Sequence, residues 1–151
     1  TSIMDQARYE LEKAVLEKKL PSNMYMFREM GTPNAHLLIG ARTNAKNVYT
    51  LKIMLNDFPS SVPAVYTTKP LKDRSGRDLE VSHELHNYGT INGQTKICHC
   101  PDSSWNPRVS LYRVYIKCRL WLECYEIYLR TGQSIDTLIN EINRQGGNPT
   151  R

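Results

Sequence analysis

Thiol and imidazole side chains are concentrated in one short stretch of the chain, TKICHCPDSSWNP. It contains Cys98, His99 and Cys100, and the segment VSHELHNYG just upstream adds His83 and His86. These residue types could bind a metal ion, form a disulfide or provide a nucleophilic thiolate. The three chemistries place different demands on spacing, so the spacing is the first test of each.

A structural zinc site is the first possibility. Its cysteine ligands usually stand about two to four residues apart, so that a loop can converge on one ion. The pair Cys98-x-Cys100 is tighter than that, and His83-x-x-His86 is not a standard half of a zinc finger. We therefore expect no metal or other cofactor. A zinc- or nucleic-acid-binding module that uses these four side chains is kept as an alternative.

The cysteine spacings also restrict the second possibility. A disulfide between Cys98 and Cys100 would close a strained small ring. Cys118 and Cys124 lie six residues apart on a predicted helix. That spacing corresponds to about 9 Å along the helix axis, which is too far for a disulfide. We interpret these two cysteines as small core residues.

A nucleophilic thiol is the third possibility. Lys96 and Arg108 flank the cysteines and would favour a thiolate, and His99 could supply charge or accept a proton. The spacing shows no Cys-His-Asn protease signature and does not identify His86 or His99 as a base. Such a thiol suits acyl transfer through a thioester, because exchange with an activated acyl group needs no dedicated strong base.

The composition is that of an ordinary globular protein. Of 151 residues, 40% are hydrophobic and 23% are charged, and we predict one domain over residues 1–151. Because there is neither a membrane-length apolar run nor a signal-peptide pattern, we expect a cytoplasmic protein with reduced thiols and no membrane contact. The net charge of +5 accompanies no nucleic-acid-binding motif, so no nucleic-acid partner is expected.

Three helices are predicted from hydrophobic periodicity. The first covers residues 2–20, where Ser2 followed by Asp5 resembles a capping box. Residues 109–130 form the second, and its apolar residues cover so much of its circumference that it must be largely buried. Ser134 is the predicted cap of the third helix, which the glycine pair Gly146-Gly147 ends.

The segments between the helices predict a sheet and a long loop. Short turns separate three strand-like runs, at residues 24–30, 35–41 and 48–55, which indicates an antiparallel meander. The prolines of FPSSVP place the following AVYTT segment at an edge or crossing of the sheet. Residues 69–106 are predicted to be mostly loop. The predicted fold is therefore α+β, with a buried central helix behind one antiparallel sheet.

Three motifs, in the same order along the chain, resemble those of ubiquitin-conjugating enzymes. The family's F-P-x-x-x-P stretch corresponds to FPSSVP at residues 58–63. Its active-site motif, a glycine turn followed by I-C, corresponds to Gly93 and then Ile97-Cys98. Its W-x-P motif corresponds to WNP, in which Trp105 follows the cysteine by seven residues. The order of predicted elements agrees too, and implies the UBC-like fold: N-terminal helix, antiparallel meander sheet, long active-site loop, buried central helix and C-terminal helix.

The aromatic segment RLWLECYEIYLRTG is similar to the central helix of bacterial members of this family. These are the stand-alone conjugating proteins of cyclic-oligonucleotide-based anti-phage signalling (CBASS) operons. In that family the protein binds the C-terminus of a cGAS-like nucleotidyltransferase as a cysteine thioester, which primes cyclic-nucleotide synthesis. The resemblance thus implies a bacterial antiviral-defence transferase that needs no cofactor and whose partner is this nucleotidyltransferase.

The resemblance also implies roles for individual residues. Cys98 matches the nucleophile in its I-C step and in its distance from Trp105, while Cys100 remains the alternative nucleophile. Trp105 is expected to pack the active-site loop. His99 and Asp102 are expected to assist proton removal from an incoming amine, on the basis of their proximity in sequence.

Further support for the thiol is expected from the segment upstream. The family's His-Pro-Asn motif, whose asparagine polarises the oxyanion, is matched only in part by His86 and Asn87, and Asn92 is a competing candidate. A basic face of the first helix would contact the protein that hands over the acyl group, and its residues are Arg8, Lys13, Lys18 and Lys19. A catalytically inactive scaffold that only binds the nucleotidyltransferase is the second alternative.

Overall fold

The structure is a computed structural model that describes residues 3–145, in which two helices follow a six-stranded sheet and one precedes it. This confirms the predicted α+β class with its N-terminal helix and two C-terminal helices. None of the described helices is both long enough and apolar enough to cross a membrane. The elements are α1 (Gln6–Lys19), β1 (Tyr25–Arg28), β2 (His36–Arg42), β3 (Val48–Met54), β4 (Val65–Thr67), β5 (Asn87–Ile91), β6 (Gln94–Ile97), α2 (Leu111–Thr131) and α3 (Ile135–Arg144).

The strands form one antiparallel sheet in the order β1-β2-β3-β4-β6-β5. The expected edge position of the AVYTT segment is wrong, because β4 pairs with β3 on one side and with β6 on the other. The two prolines of FPSSVP precede the strand, and Val65–Thr67 contains none. Every residue of this strand therefore has a backbone N–H with which to pair.

The predicted loop over residues 69–106 is interrupted by the hairpin of β5 and β6, although most of the segment outside this hairpin forms neither helix nor strand. Asn92 and Gly93 form its turn with φ angles of 55° and 77°. Positive φ at both positions is what a tight hairpin turn needs, and Asn-Gly is its strongest sequence signal. The hairpin brings Asn87 opposite Ile97, so β5 begins and β6 ends beside Cys98.

The helix starts differ from the prediction at α1, and at α2, which begins at Leu111 instead of residue 109. Asp5, and not Ser2, is its N-cap, with its carboxylate accepting a hydrogen bond from the Arg8 backbone N–H at 3.2 Å. Ser134 caps α3 as predicted, through a 3.1 Å bond from Thr137 N. Ser2 and the predicted glycine stop at residues 146–147 lie outside the described residues.

The helix α2 is buried along most of its length, as predicted. Its apolar residues pack on the inner face of the sheet, where Leu37, Ile53 and Ile97 are at most 1% exposed. Tyr125 and Tyr128 also hold the segment after β4, through hydrogen bonds to backbone atoms of residues 72 and 74. The aromatic character of α2 thus serves both the core and the loop that covers it.

The Glu12 carboxylate joins α1 to the start of α2. It is 1% exposed, and it accepts hydrogen bonds from Arg8 Nε at 2.7 Å and from the Leu111 backbone N–H at 2.8 Å. Arg8 in turn donates to the carbonyls of Pro107 and Val109 at 2.8 and 3.0 Å. Arg8 therefore packs against the WNP segment, and differs from our expectation of an exposed contact residue.

We expect Glu12→Ala to lower the free energy of unfolding by about 3 kcal/mol, because it leaves a partly buried guanidinium and a buried N–H without their acceptor. Urea denaturation measures this loss. The control is Glu10→Ala on the same helix, whose exposed pair with Lys13 is 3.7 Å long and should contribute less than about 1 kcal/mol. Equal losses in the two variants would contradict the role given to Glu12.

Candidate active site

Cys98 lies immediately after β6, where its backbone is fixed by the neighbouring strand. Its N–H donates to the carbonyl of His86 at 2.9 Å. The side chain is half-buried, and it faces a cavity of about 250 Å³ that His86 also lines. All four cysteines of the described chain are free thiols. The nucleophile proposed from the motifs is therefore accessible and unpaired.

The imidazole of His86 lies between the Cys98 thiol and a carboxylate from α3. Its Nε2 is 2.7 Å from Asp136 Oδ1, and its ring is close enough to the Cys98 thiol for the two groups to shift each other's pKa. Because Nε2 contacts Asp136, the nitrogen left for the thiol is Nδ1. A thiol, an imidazole and a carboxylate thus follow one another, as nucleophile, base and the group that orients the base.

The backbone holds this imidazole in place from two further sides. The His86 carbonyl accepts the indole N–H of Trp121 at 2.8 Å in addition to the N–H of Cys98. His86 adopts a φ of 42°, in the left-handed region that disfavours most side chains. Such a conformation is held by its surroundings and is often found at functional sites.

The contact changes the charge state of both partners. Hydrogen bonding from His86 lowers the pKa of the Cys98 thiol, and Tyr88 adds to the effect, against burial and the charge of Asp102. Hydrogen bonding to Cys98 and then to Asp136 raises the pKa of His86 against the effect of burial. The Asp136 pKa is lowered, chiefly by its hydrogen bond with His86. These shifts favour a thiolate–imidazolium pair beside a carboxylate.

The two loop cysteines differ in their surroundings. Burial raises the pKa of Cys100, the opposite of the change at Cys98. The Cys100 sulfur is directed to the carbonyl of Pro101 at 3.4 Å. A thiol that stays protonated is a poor nucleophile. The geometry therefore favours Cys98 over Cys100.

Three polar residues expected near the thiol have structural roles in the loops around it. Burial lowers the pKa of His99 to about 4, and its neutral ring donates from Nε2 to the carbonyl of Pro63 at 2.8 Å. Asn87 is 3% exposed, and its Oδ1 accepts the backbone N–H of Gly89 at 2.7 Å. Asn92 forms the hairpin turn at the far end of β6. These contacts support the loop and do not place the side chains against the sulfur.

Trp105 packs the loop as expected from its size. Its indole N–H donates to the carbonyl of Pro59 at 2.7 Å, and its ring lies 6.1 Å from that of Phe58. The Arg8 guanidinium covers the same phenylalanine, 4.9 Å from the ring centroid. Asp102 is exposed in the short turn before Trp105 and lines a neighbouring cavity. The FPSSVP and WNP segments thus contact each other behind Cys98.

The remaining basic residues of α1 lie on its outer side. Lys18 is exposed, and Lys19 lies 5.6 Å from the ring centroid of Tyr112. Lys13 contacts the ring of Tyr9 at 5.0 Å. Unlike Arg8, these lysines keep their charged ends at the surface, where a partner could reach them.

The side chains considered for zinc do not form a metal-binding cluster. Over residues 3–145, no group of three or more His, Cys, Asp or Glu side chains is arranged to hold a metal ion. The His83 side chain is 87% exposed, and its Nε2 is 3.8 Å from Asp136. Asp136 thus lies near both histidines, and only His86 lies beside Cys98.

Two residues of the site were missed in the sequence. Asp136 lies 50 residues after His86 on another helix, and nothing in its local pattern distinguishes it from an ordinary acidic residue in a first helical turn. Tyr88 follows on β5, where its interaction with Cys98, together with burial, raises the pKa of Tyr88 to about 12. Its phenol therefore stays protonated at neutral pH beside the thiol.

No protein-family profile, curated protein or solved structure matches this chain. The resemblance to conjugating enzymes consequently rests on the sequence motifs around Cys98.

We expect Cys98 to be alkylated by iodoacetamide faster than Cys100 at pH 7, because only its thiolate is stabilised. His86→Asn should slow the alkylation of Cys98 by about tenfold or more, since a thiol whose pKa rises by about one unit loses tenfold of its thiolate at this pH. Asparagine also tolerates the positive φ at this position. Peptide mapping by mass spectrometry gives both rates, and an unchanged Cys98 rate would contradict the pairing with His86.

Proposed function

We propose that the protein is a conjugating-enzyme-like acyltransferase that carries an acyl group as a thioester on Cys98. The observation that carries this proposal is the position of the Cys98 thiol beside His86, itself paired with Asp136, at one cavity. An accessible thiol whose pKa is lowered favours thioester formation. A structural cysteine would need neither the charge partner nor the adjoining cavity.

The chemical step uses the charges already present. The Cys98 thiolate attacks the carbonyl carbon of an acyl group that arrives activated, as a thioester or an acyl-adenylate made by an ATP-using enzyme. A new C–S bond forms, the bond to the departing thiolate or adenylate breaks, and the His86 imidazolium can protonate a departing thiolate. The Tyr88 hydroxyl, which stays protonated beside the thiol, is available to the oxyanion that forms on attack.

We further propose that the acyl donor is the C-terminus of a cGAS-like nucleotidyltransferase, and that the adduct primes cyclic-nucleotide synthesis in anti-phage defence. Support comes from the motifs that resemble the UBC-like fold. Trp105 bonds to Pro59, and His99 to Pro63, so two of the motifs are joined around the third at Cys98. The exposed lysines of α1 offer a surface for the protein that delivers the acyl group.

The two alternatives are less well supported. A catalytically inactive scaffold would not need a thiolate held by an imidazole and a carboxylate. A zinc-binding module would need His83, His86, Cys98 and Cys100 around one ion, and the described residues do not form such a cluster. A nucleic-acid-binding module has the net charge of +5 in its favour, without a recognised binding motif.

The test of the chemistry uses a synthetic peptide thioester that ends in the C-terminal residues of the nucleotidyltransferase. We expect wild type and Cys100→Ser to gain one peptide mass, removable by excess thiol, and Cys98→Ala to gain none. Cys98→Ser should form an oxyester that resists thiol, because a hydroxyl replaces the sulfur. Intact-mass spectrometry distinguishes these products. A thiol-sensitive adduct on Cys98→Ala that Cys100→Ala loses would assign the reaction to the other cysteine.

The partner is tested separately, by co-expression with a cGAS-like nucleotidyltransferase. We expect an adduct on non-reducing gels that disappears with Cys98→Ala and when the C-terminal residues of the nucleotidyltransferase are deleted. Cyclic-nucleotide synthesis should fall in both cases. An adduct that survives the deletion would show that another carbonyl group is the donor.

A further inference from the structure

The arrangement of Cys98, His86 and Asp136 contains more than a thioester carrier needs. Thioester exchange requires only the thiolate, whereas a base oriented by its own carboxylate is suited to removing a proton from an attacking nucleophile. The carboxylate comes from α3, a separate element whose start is tied to the histidine turn by the Asp136 backbone N–H, 2.8 Å from the Glu84 carbonyl. The second half-reaction therefore has a dedicated base.

We propose that water is the acceptor of the acyl group on Cys98, with His86 as the general base and Asp136 as its positioning residue. The protein would then hydrolyse the thioester that it forms and release the acyl group as a free carboxylate. This inference rests on the proposed function for the thioester itself, and it names the acceptor.

The cavity beside the thiol suits water. Its volume of about 250 Å³ exceeds the roughly 30 Å³ that one water molecule occupies. Polar side chains line it together with Cys98 and His86, and they are Lys117, Asn140 and Asn143. No aspartate or glutamate is among the described residues that line it. A lysine ammonium arriving as acceptor would meet the positive charge of Lys117 on the cavity wall, whereas a neutral water molecule meets no such repulsion.

These groups alone account for every proton transfer in the hydrolysis. The His86 Nδ1 accepts a proton from water as its oxygen attacks the thioester carbonyl, so that one C–O bond forms. Collapse of the tetrahedral oxyanion breaks the C–S bond and releases Cys98 as a thiolate beside the imidazolium. The resting ion pair is thereby restored, and the carboxylic acid product loses its proton to solvent.

Acylation itself prepares the base. In the free enzyme, the hydrogen bond and charge of the thiolate are the main cause that raises the pKa of His86. The acyl-enzyme has no thiolate, so this cause disappears while the opposing effect of burial remains. The imidazole then loses its proton more easily at neutral pH. Other ionisable groups around the pair are Asp136 and His83 on the α3 side, Tyr88 and Asp102 beside the thiol, and Lys117 in the cavity.

The positive φ of His86 permits a sharp test. Glycine adopts this backbone conformation without strain, so His86→Gly removes the imidazole and leaves a space beside the cavity. Wild type and variant are loaded on Cys98 with the peptide thioester, freed of excess reagent, and followed by intact-mass spectrometry. We expect the half-life of the adduct to increase about 100-fold or more in His86→Gly, the typical contribution of a general base. Added imidazole should shorten it again.

The control is His83→Ala, which removes a neighbouring exposed imidazole and should leave the half-life unchanged. For Asp136→Asn, we expect a slower reaction whose pH–rate inflection moves to lower pH, because the negative charge that helps raise the pKa of His86 is gone. A merely structural role for Asp136 would not move the inflection.

The product identifies the acceptor. In a buffer that contains a lysine analogue, we expect mass spectrometry to show the peptide acid in excess of the peptide amide. Predominance of the amide, or equal half-lives in wild type and His86→Gly, would overturn the inference while leaving the proposed thioester intact. Failure of wild type to form any adduct would overturn the proposed function and this inference together.

Discussion

The carbonyl oxygen of His86 is the point on which the site depends. It accepts the backbone N–H of Cys98 at 2.9 Å and the indole N–H of Trp121 at 2.8 Å. The first bond sets the end of β6 against the histidine turn, and the second ties that turn to the most buried part of α2. With its carbonyl fixed from both directions, the residue is held at a positive φ, and its ring is directed between Cys98 and Asp136. The hydrogen-bonded carbonyl of His86 thus determines the position of Cys98.

A second set of contacts supports the loop from behind. Phe58 lies between the guanidinium of Arg8 and the ring of Trp105, and the indole of Trp105 bonds to the carbonyl of Pro59. Glu12 orients Arg8 and also accepts the first backbone N–H of α2. Because the partly buried guanidinium and the buried carboxylate satisfy each other and nearby backbone groups, the charges are tolerated in an otherwise apolar region. Three distant segments of the chain therefore hold one short loop.

Charge is distributed around the thiol in a way that separates two tasks. In the proposed reaction, the imidazole would stabilise a thiolate before acylation, and the carboxylate would keep the imidazole oriented after the thiolate has been consumed. The same pair of groups would then serve attack on the donor and activation of the acceptor, as in thiol enzymes with a paired base. Cys100, only two residues away, lacks both partners and remains a protonated thiol. The preference between two neighbouring cysteines is thus a matter of the groups they face, since their sequence neighbourhoods are nearly the same.

Local patterns in the sequence determined the α+β class, the meander of β1 to β3, the buried aromatic helix and the location of the chemistry near Cys98, because periodicity and turn residues act over a few positions. The Asn92-Gly93 turn is an equally local signal, but the predicted strands did not include it, and the hairpin of β5 and β6 was therefore not expected. Only the tertiary structure decided that Asp136 meets His86, that Arg8 points inward and that β4 lies inside the sheet. These facts depend on how elements far apart in the chain pack together, and no short-range pattern encodes the direction of a side chain across such an interface. The residue types in the sequence thus placed a thiol and two histidines in neighbouring segments, and only the contact of α3 with the turn before β5 brought Asp136 to His86.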